Sequence, residues 1–238
     1  MNSSSQAPAL ALIAGVGGGL SASLARLLHA RGYQLVLAAR DPDKLGALAA
    51  ETRARVIACD TAQPDQAAAL FAALPAAPRV AVYNPSASVR GPITEVDPLA
   101  VRDAIAVTAY GAFLFGQQAA RQMLELAPDA RGARGTILFT GASAGEKGFA
   151  QSAAFAMGKF AQRGLAQSMA RELHPRGIHV AWINIDGGIR SDARPVPPDS
   201  PDSLLDPDAI AQTYLDLIAQ HRSAWTHEIA VRPWVERF

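Results

Sequence analysis

The chain is poor in several residue types, and each shortage excludes something. Cysteine occurs once among 238 residues, as Cys59, so no intramolecular disulfide can form. Its apolar neighbours make it a buried core residue rather than a redox centre. Lysine is nearly as scarce, with only Lys44, Lys147 and Lys159 against nineteen arginines. Charge of neither sign is in excess: 22 basic and 21 acidic residues leave a net charge of +1. The scattered arginines read as solvated surface, and nothing here would draw the chain to nucleic acid or to a membrane. His29, His174, His179, His221 and His227 lack the clustered spacing of metal ligands, so no metal is expected. No apolar stretch long enough to span a bilayer is evident, and Met1 to Gln6 lack the basic and apolar regions of a signal peptide. A cytoplasmic protein is expected, with residues 1–7 disordered.

What the chain does have is apolar material, 50% of its residues, enough for one large core. Strands and helices alternate without a linker or repeat, so residues 1–238 read as one domain. Strands are expected near 9–14, 33–39, 55–59, 79–83, 135–140, 178–185 and 227–231, with helices between them. This is an α/β fold, a Rossmann-like, doubly wound, seven-stranded parallel sheet with helices on both faces. One extended breaker segment, Pro195 to Asp202, follows the sixth strand and suppresses helix there.

The first strand, Ala9 to Ala14, breaks at Gly15-Val16-Gly17-Gly18-Gly19-Leu20-Ser21 before a helical pattern through Leu24, Leu27 and Leu28. Strand, glycine loop and helix form a phosphate-binding arrangement: the glycines let backbone N–H groups approach a pyrophosphate, and the helix N-terminus adds its dipole. The second strand ends in Arg40, where dinucleotide folds meet the adenosine ribose. A carboxylate there accepts from the 2′-OH, whereas an arginine pairs with a 2′-phosphate. Arg40 thus points to NADP ahead of NAD. Asp41 could be a ribose acceptor, or with Pro42 the N-cap and first position of the next helix.

The segment Phe155-Ala156-Met157-Gly158-Lys159 lies in an alanine-rich helical stretch. Residues four apart share a helix face, so a phenol at 155 would stand beside the Lys159 ammonium, which would lower its pKa for proton transfer. Phe155 has no hydroxyl to activate. Ser152, Phe155 and Lys159 recur at spacings of three, four and seven, again on one face. Ser152 could donate a proton, or could be a solvated or capping serine at the start of the helix.

Taken together, these residues resemble the short-chain dehydrogenase/reductase family over about residues 8 to 238. The family loop Thr-Gly-x-x-x-Gly-Ile/Leu-Gly is matched by Ala14, Gly15, Gly19, Leu20 and Ser21, with departures at the first and last positions. Gly17 and Gly18 lie within it. The resemblance implies that Asp60 contacts adenine, with Thr61 beside it. Of the Asn-Asn-Ala-Gly element, Tyr83-Asn84-Pro85-Ser86 retains only Asn84. The Pro-Gly-x-Ile/Val-x-Thr element appears as Asp186-Gly187-Gly188-Ile189-Arg190-Ser191. There Ile189 would hold the nicotinamide carboxamide through its backbone, and Ser191 could replace the threonine.

The family's catalytic Asn, Ser, Tyr and Lys fall on Thr108, Ala142, Phe155 and Lys159, with Ser143 adjacent to Ala142. Only the lysine is intact. By this resemblance Lys159 holds the nicotinamide ribose, while the acid–base chemistry, commonly worth ~10²–10⁴-fold, lacks its phenol. Enoyl reductases of the superfamily place their tyrosine seven residues before the lysine, the position of Ser152. Arg190 and Arg194 flank the proline-rich segment, where the family carries its substrate lid. They could meet an anionic substrate or cofactor phosphates, or form surface salt bridges.

Family members usually pair through their fourth and fifth helices, here about 99–126 and 152–174, and Ala112, Phe113, Phe115, Phe160 and Leu165 supply apolar surface for a homodimer or homotetramer. Tyr110 is expected to pack at a helix interface. Two function classes remain: an NADP(H)-dependent oxidoreductase of a small carbonyl or conjugated compound with a non-standard site, or a dinucleotide-binding sensor or partner protein without dehydrogenase activity.

Overall fold

A computed structural model describes residues 8–236, so the expectation for residues 1–7 lies outside the described residues. Seven strands form one parallel sheet: β1 (Leu10–Ala14), β2 (Gln34–Ala39), β3 (Arg55–Ala58), β4 (Val80–Tyr83), β5 (Gly135–Thr140), β6 (Ile178–Ile185) and, after two short strands, β9 (Glu228–Val231). Their spatial order is β3-β2-β1-β4-β5-β6-β9. The expected boundaries hold to within a residue or so. The short strands β7 (Gly188–Ile189) and β8 (Leu204–Leu205) pair parallel with each other. They were not expected, and they pin together the two ends of the proline-rich segment.

The apolar runs are strands because both faces of the sheet are covered. Ala11, Ile13, Leu35, Leu37, Val80 and Val82 turn to one side, into a core shared with α1 (Leu20–Ala30), α2 (Gly46–Thr52) and α7 (Pro207–Ala219). Their neighbours Leu10, Leu12, Ala14, Val36, Ala38 and Ala81 turn to the other, toward α3 (Pro64–Ala72), α5 (Gly111–Glu125) and α6 (Ala153–Leu173). The period of two along each strand therefore separates two cores without separating apolar from polar. Cys59 is buried, and burial raises its thiol to about 11.

Helix starts follow local chemistry. α4 (Pro98–Ile105) begins with an Asp-Pro pair: the Asp97 carboxylate accepts from Leu99 N–H at 3.0 Å, and Pro98 occupies the first helical position. Asp206 and Pro207 repeat the device at α7, with 2.8 Å to Asp208 N–H. Between α4 and α5 the helix widens into a π turn, Ala106–Tyr110. The continuous segment Pro98–Glu125 is long and apolar enough to cross a membrane by length and composition, which corrects the sequence reading. In the fold Ala112, Phe115, Ala119 and Met123 on this rod are core residues against the sheet.

That packing is close at the head of α5. A Cβ placed on Gly111 would clash with the Tyr83 hydroxyl and come 2.9 Å from the Thr61 carbonyl. Tyr83 is fully buried, and its hydroxyl donates to the Val107 carbonyl in the π turn. Ala112 and Phe115 are thus core residues, not the interface residues expected from sequence. Leu99, Tyr110, Phe113, Met157 and Phe160 are exposed apolar side chains of this region, with Tyr110 and Phe113 stacked at 6.3 Å.

Candidate active site

Two clefts lie at the carboxyl ends of the strands and share Asn84 and Ser86. The first, about 450 Å³, is lined by Gly15, Gly17 and Gly18, by Arg40, Asp41 and Lys44, and by Asp60 and Thr61. The second, about 520 Å³, is lined by Thr140, Ala142, Phe155, Lys159, Gly187, Ile189, Ser191 and Arg194, among others. A parallel sheet presents such a crevice where the strand order reverses, here between β1 and β4.

The glycine loop is built to receive something. Gly15 adopts φ +76°, and a Cβ there would sit 2.5 Å from the Pro85 nitrogen; only glycine lets the two loops approach so closely. Beyond it, Cβ atoms on Gly17, Gly18 and Gly19 would meet nothing within 4 Å, so their backbone faces open space. Gly19 caps α1 without any side-chain hydrogen bond; Ala22 and Ser23 N–H donate to its carbonyl, and the N–H groups before them face the loop, where an anion would sit. Asn84 braces the loop, donating from Nδ2 to Ser21 Oγ at 2.6 Å and to the Gly15 carbonyl at 3.3 Å. Leu20, predicted as part of the loop, opens α1 with its side chain buried.

At the far end of the first cleft, Asp41 is engaged by Lys44 at 2.8 Å. It precedes the turn that Pro42 opens but makes no side-chain cap bond. The Lys44 hydrogen bond and charge hold the Asp41 carboxyl below the usual carboxylate range. Arg40 has no ion-pair partner among the described residues, so at the end of β2 Arg40 and Lys44 stand beside Asp41, with Asp60 the cleft's other carboxylate. Sequence reasoning missed Lys44; its spacing of three from Asp41 was the available signal. Asp60 accepts from Ala62 N–H at 3.0 Å, and Thr61 Oγ1 meets the Tyr83 hydroxyl at 3.1 Å.

In the second cleft, Phe155 and Lys159 stand together, as one helix face requires; Lys159 Nζ lies 5.9 Å from the Phe155 ring centroid. Lys159 is 2% exposed. Its Nζ donates to the Thr140 carbonyl at 2.6 Å and to Gln162 Oε1 at 3.4 Å. Gln162, overlooked in the sequence, lies three residues on along the same helix. Thr140 Oγ1 is paired with the Tyr214 hydroxyl at 2.7 Å. Ser191 and Arg194 exchange backbone hydrogen bonds of 3.1 and 2.9 Å in a tight turn. Arg190 pairs with Asp206 at 2.6 Å, while Arg194 has no ion-pair partner among the described residues.

The other predicted hydroxyls do not line the cleft. Thr108 is fully buried, with Oγ1 accepting from Ala87 N–H at 3.0 Å. Ser152 occupies the N-cap of α6, buried and without a cap hydrogen bond, so it is neither solvated nor capping. Ser143 starts a single 3₁₀ turn and presents its carbonyl to Glu146 and Lys147 N–H. Ser86, which lines both clefts, was passed over because only its neighbour Asn84 matched a motif. Among the described residues no cluster of three His, Cys, Asp or Glu could hold a metal.

Burial lowers the Lys159 amine from its usual 10.5 to about 7. The unfolded chain keeps this proton up to pH 10.5, the fold only below about pH 7. Burying Lys159 therefore costs stability in full below pH 7 and progressively less as pH rises toward 10.5. Lys159→Met should be more stable than the native chain at pH 7, and its advantage should shrink by about 1.4 kcal/mol per pH unit above that. Urea unfolding of both proteins at pH 7 and pH 9 measures this; an advantage independent of pH would contradict it.

Known proteins resemble this chain in sequence and fold. A profile described as short chain dehydrogenase matches residues 9–195. The uncharacterized oxidoreductase YmfI of Bacillus subtilis is 28% identical over 177 residues, 71% of this chain and 71% of its own length. A short-chain dehydrogenase from Rhodopseudomonas palustris superposes with a TM-score of 0.79 at 34% identity, covering 95% of this chain and 99% of that one. A metagenomic short-chain oxidoreductase solved in complex with NADP gives a TM-score of 0.80 at 28% identity, covering 97% of this chain and all of the other. Agreement over this much of the molecule, in sequence as well as fold, has one meaning: the chain belongs to the short-chain dehydrogenase family.

Proposed function

We propose that the protein is an NADP(H)-dependent oxidoreductase of a small carbonyl or conjugated compound, working without a phenolic proton donor. The observation that carries the cofactor choice is the charge at the end of β2. Arg40 has no ion-pair partner there among the described residues, while Lys44 occupies the carboxylate that would otherwise greet a free 2′-OH. The open glycine loop and the uncapped start of α1 suit a pyrophosphate, and Ile189, Ser191 and Lys159 line the place for the nicotinamide riboside. The cofactor, when bound, supplies a hydride. The metagenomic relative's NADP complex supports the same choice.

The chain's own residues restrict how a proton can accompany the hydride. Phe155 contributes an apolar wall where a phenol would donate a proton, and Ala142 cannot polarise a carbonyl. Of the hydroxyl-bearing residues along the cleft, Ser86 and Ser191 remain, since Thr140 Oγ1 is engaged with the buried Tyr214 hydroxyl; Lys159 is the single amine among the lining residues. The unpaired Arg194 favours an anionic group on the substrate or a cofactor phosphate, and no carboxylate lines this cleft to oppose either. Tyr110, Phe113, Met157 and Phe160 form an exposed apolar face on the π turn, α5 and α6, which suits a two-fold homodimer or a homotetramer.

Three measurements test this reading. Calorimetric titration should show NADPH binding more tightly than NADH, and Arg40→Ala should remove most of that preference; equal affinities in the native chain would reject the NADP assignment. Ordinary ketones should be reduced very slowly by the native chain, and Phe155→Tyr with Ala142→Ser should raise the rate by ~10-fold or more. Brisk native turnover that the double variant leaves unchanged would place the donor elsewhere. Light scattering at micromolar concentration should report a dimer or tetramer, and Phe113→Glu with Phe160→Glu should dissociate it; a native monomer would refute the interface.

A further inference from the structure

Gln162 is a polar amide in the middle of α6, fully buried. Packing alone would fill such a position with an aliphatic side chain, because an amide taken from water must recover its hydrogen bonds or lose stability. Both ends of this one are engaged. Oε1 accepts from Lys159 Nζ at 3.4 Å, and Nε2 donates to the Thr108 carbonyl at 3.3 Å. An ammonium only donates and a carbonyl only accepts, so just one of the two amide orientations satisfies both neighbours. The carbonyl that anchors it belongs to the π turn Ala106–Tyr110; such turns depart from the regular α ladder and recur at functional sites.

We infer that Gln162 is a positioning residue: together with the Thr140 carbonyl it fixes two hydrogen-bonding directions of the Lys159 amine and leaves the third to the cleft. Both fixed partners are acceptors, so N–H bonds serve them whether the amine is charged or neutral. Only the third direction alternates between a proton and a lone pair. The proton that Lys159 gains or loses is thereby exchanged with whatever occupies the cleft, rather than with the protein behind it. The use of that proton in catalysis rests on the oxidoreductase reading above; the geometry does not.

The groups around the amine explain why the amide matters. From β5 comes the Thr140 carbonyl, and from α6 itself Gln162 and the Phe155 ring. The π turn contributes Thr108 through Gln162. Asn84 and Ser86 line the same cleft from the β4 loop, and Ser191 and Arg194 from the segment after β7. No carboxylate is among these residues. Arg163, one turn along α6, is paired with Glu228 at 2.7 Å. With no counter-ion at hand, the two acceptor oxygens are what favour the charged amine against desolvation.

The scarcity of lysine makes this measurable without any enzyme assay. In protein labelled with ¹³C at lysine Cε, only Lys44, Lys147 and Lys159 give signals, and Lys44→Arg and Lys147→Arg assign them. Gln162→Leu removes an acceptor and should lower the Lys159 midpoint by about half a unit or more; Gln162→Glu supplies a counter-charge and should raise it by at least as much. In catalytically active protein the corresponding limb of the kcat/KM profile should move in the same directions. Midpoints within about 0.2 units of the native value in both variants would overturn the inference. Should the leucine variant fail to fold, the near-isosteric glutamate decides alone, and an unmoved or lowered midpoint there refutes it. A chain that reduces nothing would defeat the oxidoreductase reading and still leave the titration to judge Gln162.

Discussion

The contact between Gly15 and Pro85 is the constraint on which the rest of the site depends. It lies where the strand order reverses between β1 and β4, and it brings the glycine loop against the loop that follows β4. A side chain at 15 would push these loops apart. Asn84 then ties the assembly together, its backbone N–H bonded to the Ala14 carbonyl at 3.1 Å and its amide to Ser21. Because Asn84 and Ser86 line both clefts, this contact sets the position of the first cleft relative to the second. An elongated ligand can span them only if the junction stays narrow.

The second requirement is the position of α6 against β5 and the π turn. A Cβ on Gly158 would approach the Thr108 Cβ to 2.9 Å, so α6 lies close enough for Gln162 to reach the Thr108 carbonyl and for Lys159 to reach that of Thr140. Burial of the amine opposes folding, and a packing-optimised protein would place methionine or leucine there. The sheet can bear the cost because both of its faces are sealed by apolar layers. Stability spent at one residue is therefore covered by the core as a whole, a pattern typical of sites shaped by chemistry.

Much of the fold was legible because the strands are short apolar runs bounded by glycine, proline or acidic residues, and because a parallel sheet buries both faces. The Asp-Pro starts of α4 and α7 were not picked out, whereas the Asp-Pro pair that was, Asp41-Pro42, makes no cap bond. The alliance of Phe155 and Lys159 could be read from helical spacing, which is geometry that sequence carries directly. Ser152 shares that spacing and yet misses the cleft, since at the N-cap its backbone has left helical geometry, with φ −130° and ψ 27°. Periodicity assigns a face only inside the helix. Ala112 and Phe115 were misassigned for another reason: an apolar helix covered on two sides offers no polar stripe to mark which side meets solvent. Gln162 reaches the Thr108 carbonyl, distant in sequence, and Ser86 acts through a cleft wall, and no local pattern marks such contacts; only Lys44, three residues from Asp41, left a local signal.

Binding and proton transfer make different physical demands, and this chain separates them. On the proposed reading, a dinucleotide would be held by backbone N–H groups, a guanidinium and an amine whose positions are set by loops and by one helix face; none of these contacts would involve the atom missing from Phe155. Protonating a nascent alkoxide takes an acidic hydrogen within reach of one particular oxygen. A phenylalanine in that place keeps the shape of the wall and its contact with the Lys159 amine, the ring centroid standing 5.9 Å from Nζ. That wall is thereby left apolar beside a lysine whose amine burial lowers to about 7. On the proposed reading, the acid–base role that a lysine would ordinarily exert through a neighbouring phenol would fall to the amine itself, to a cleft hydroxyl or to water, and such a site would turn over substrates whose oxygen needs the least help.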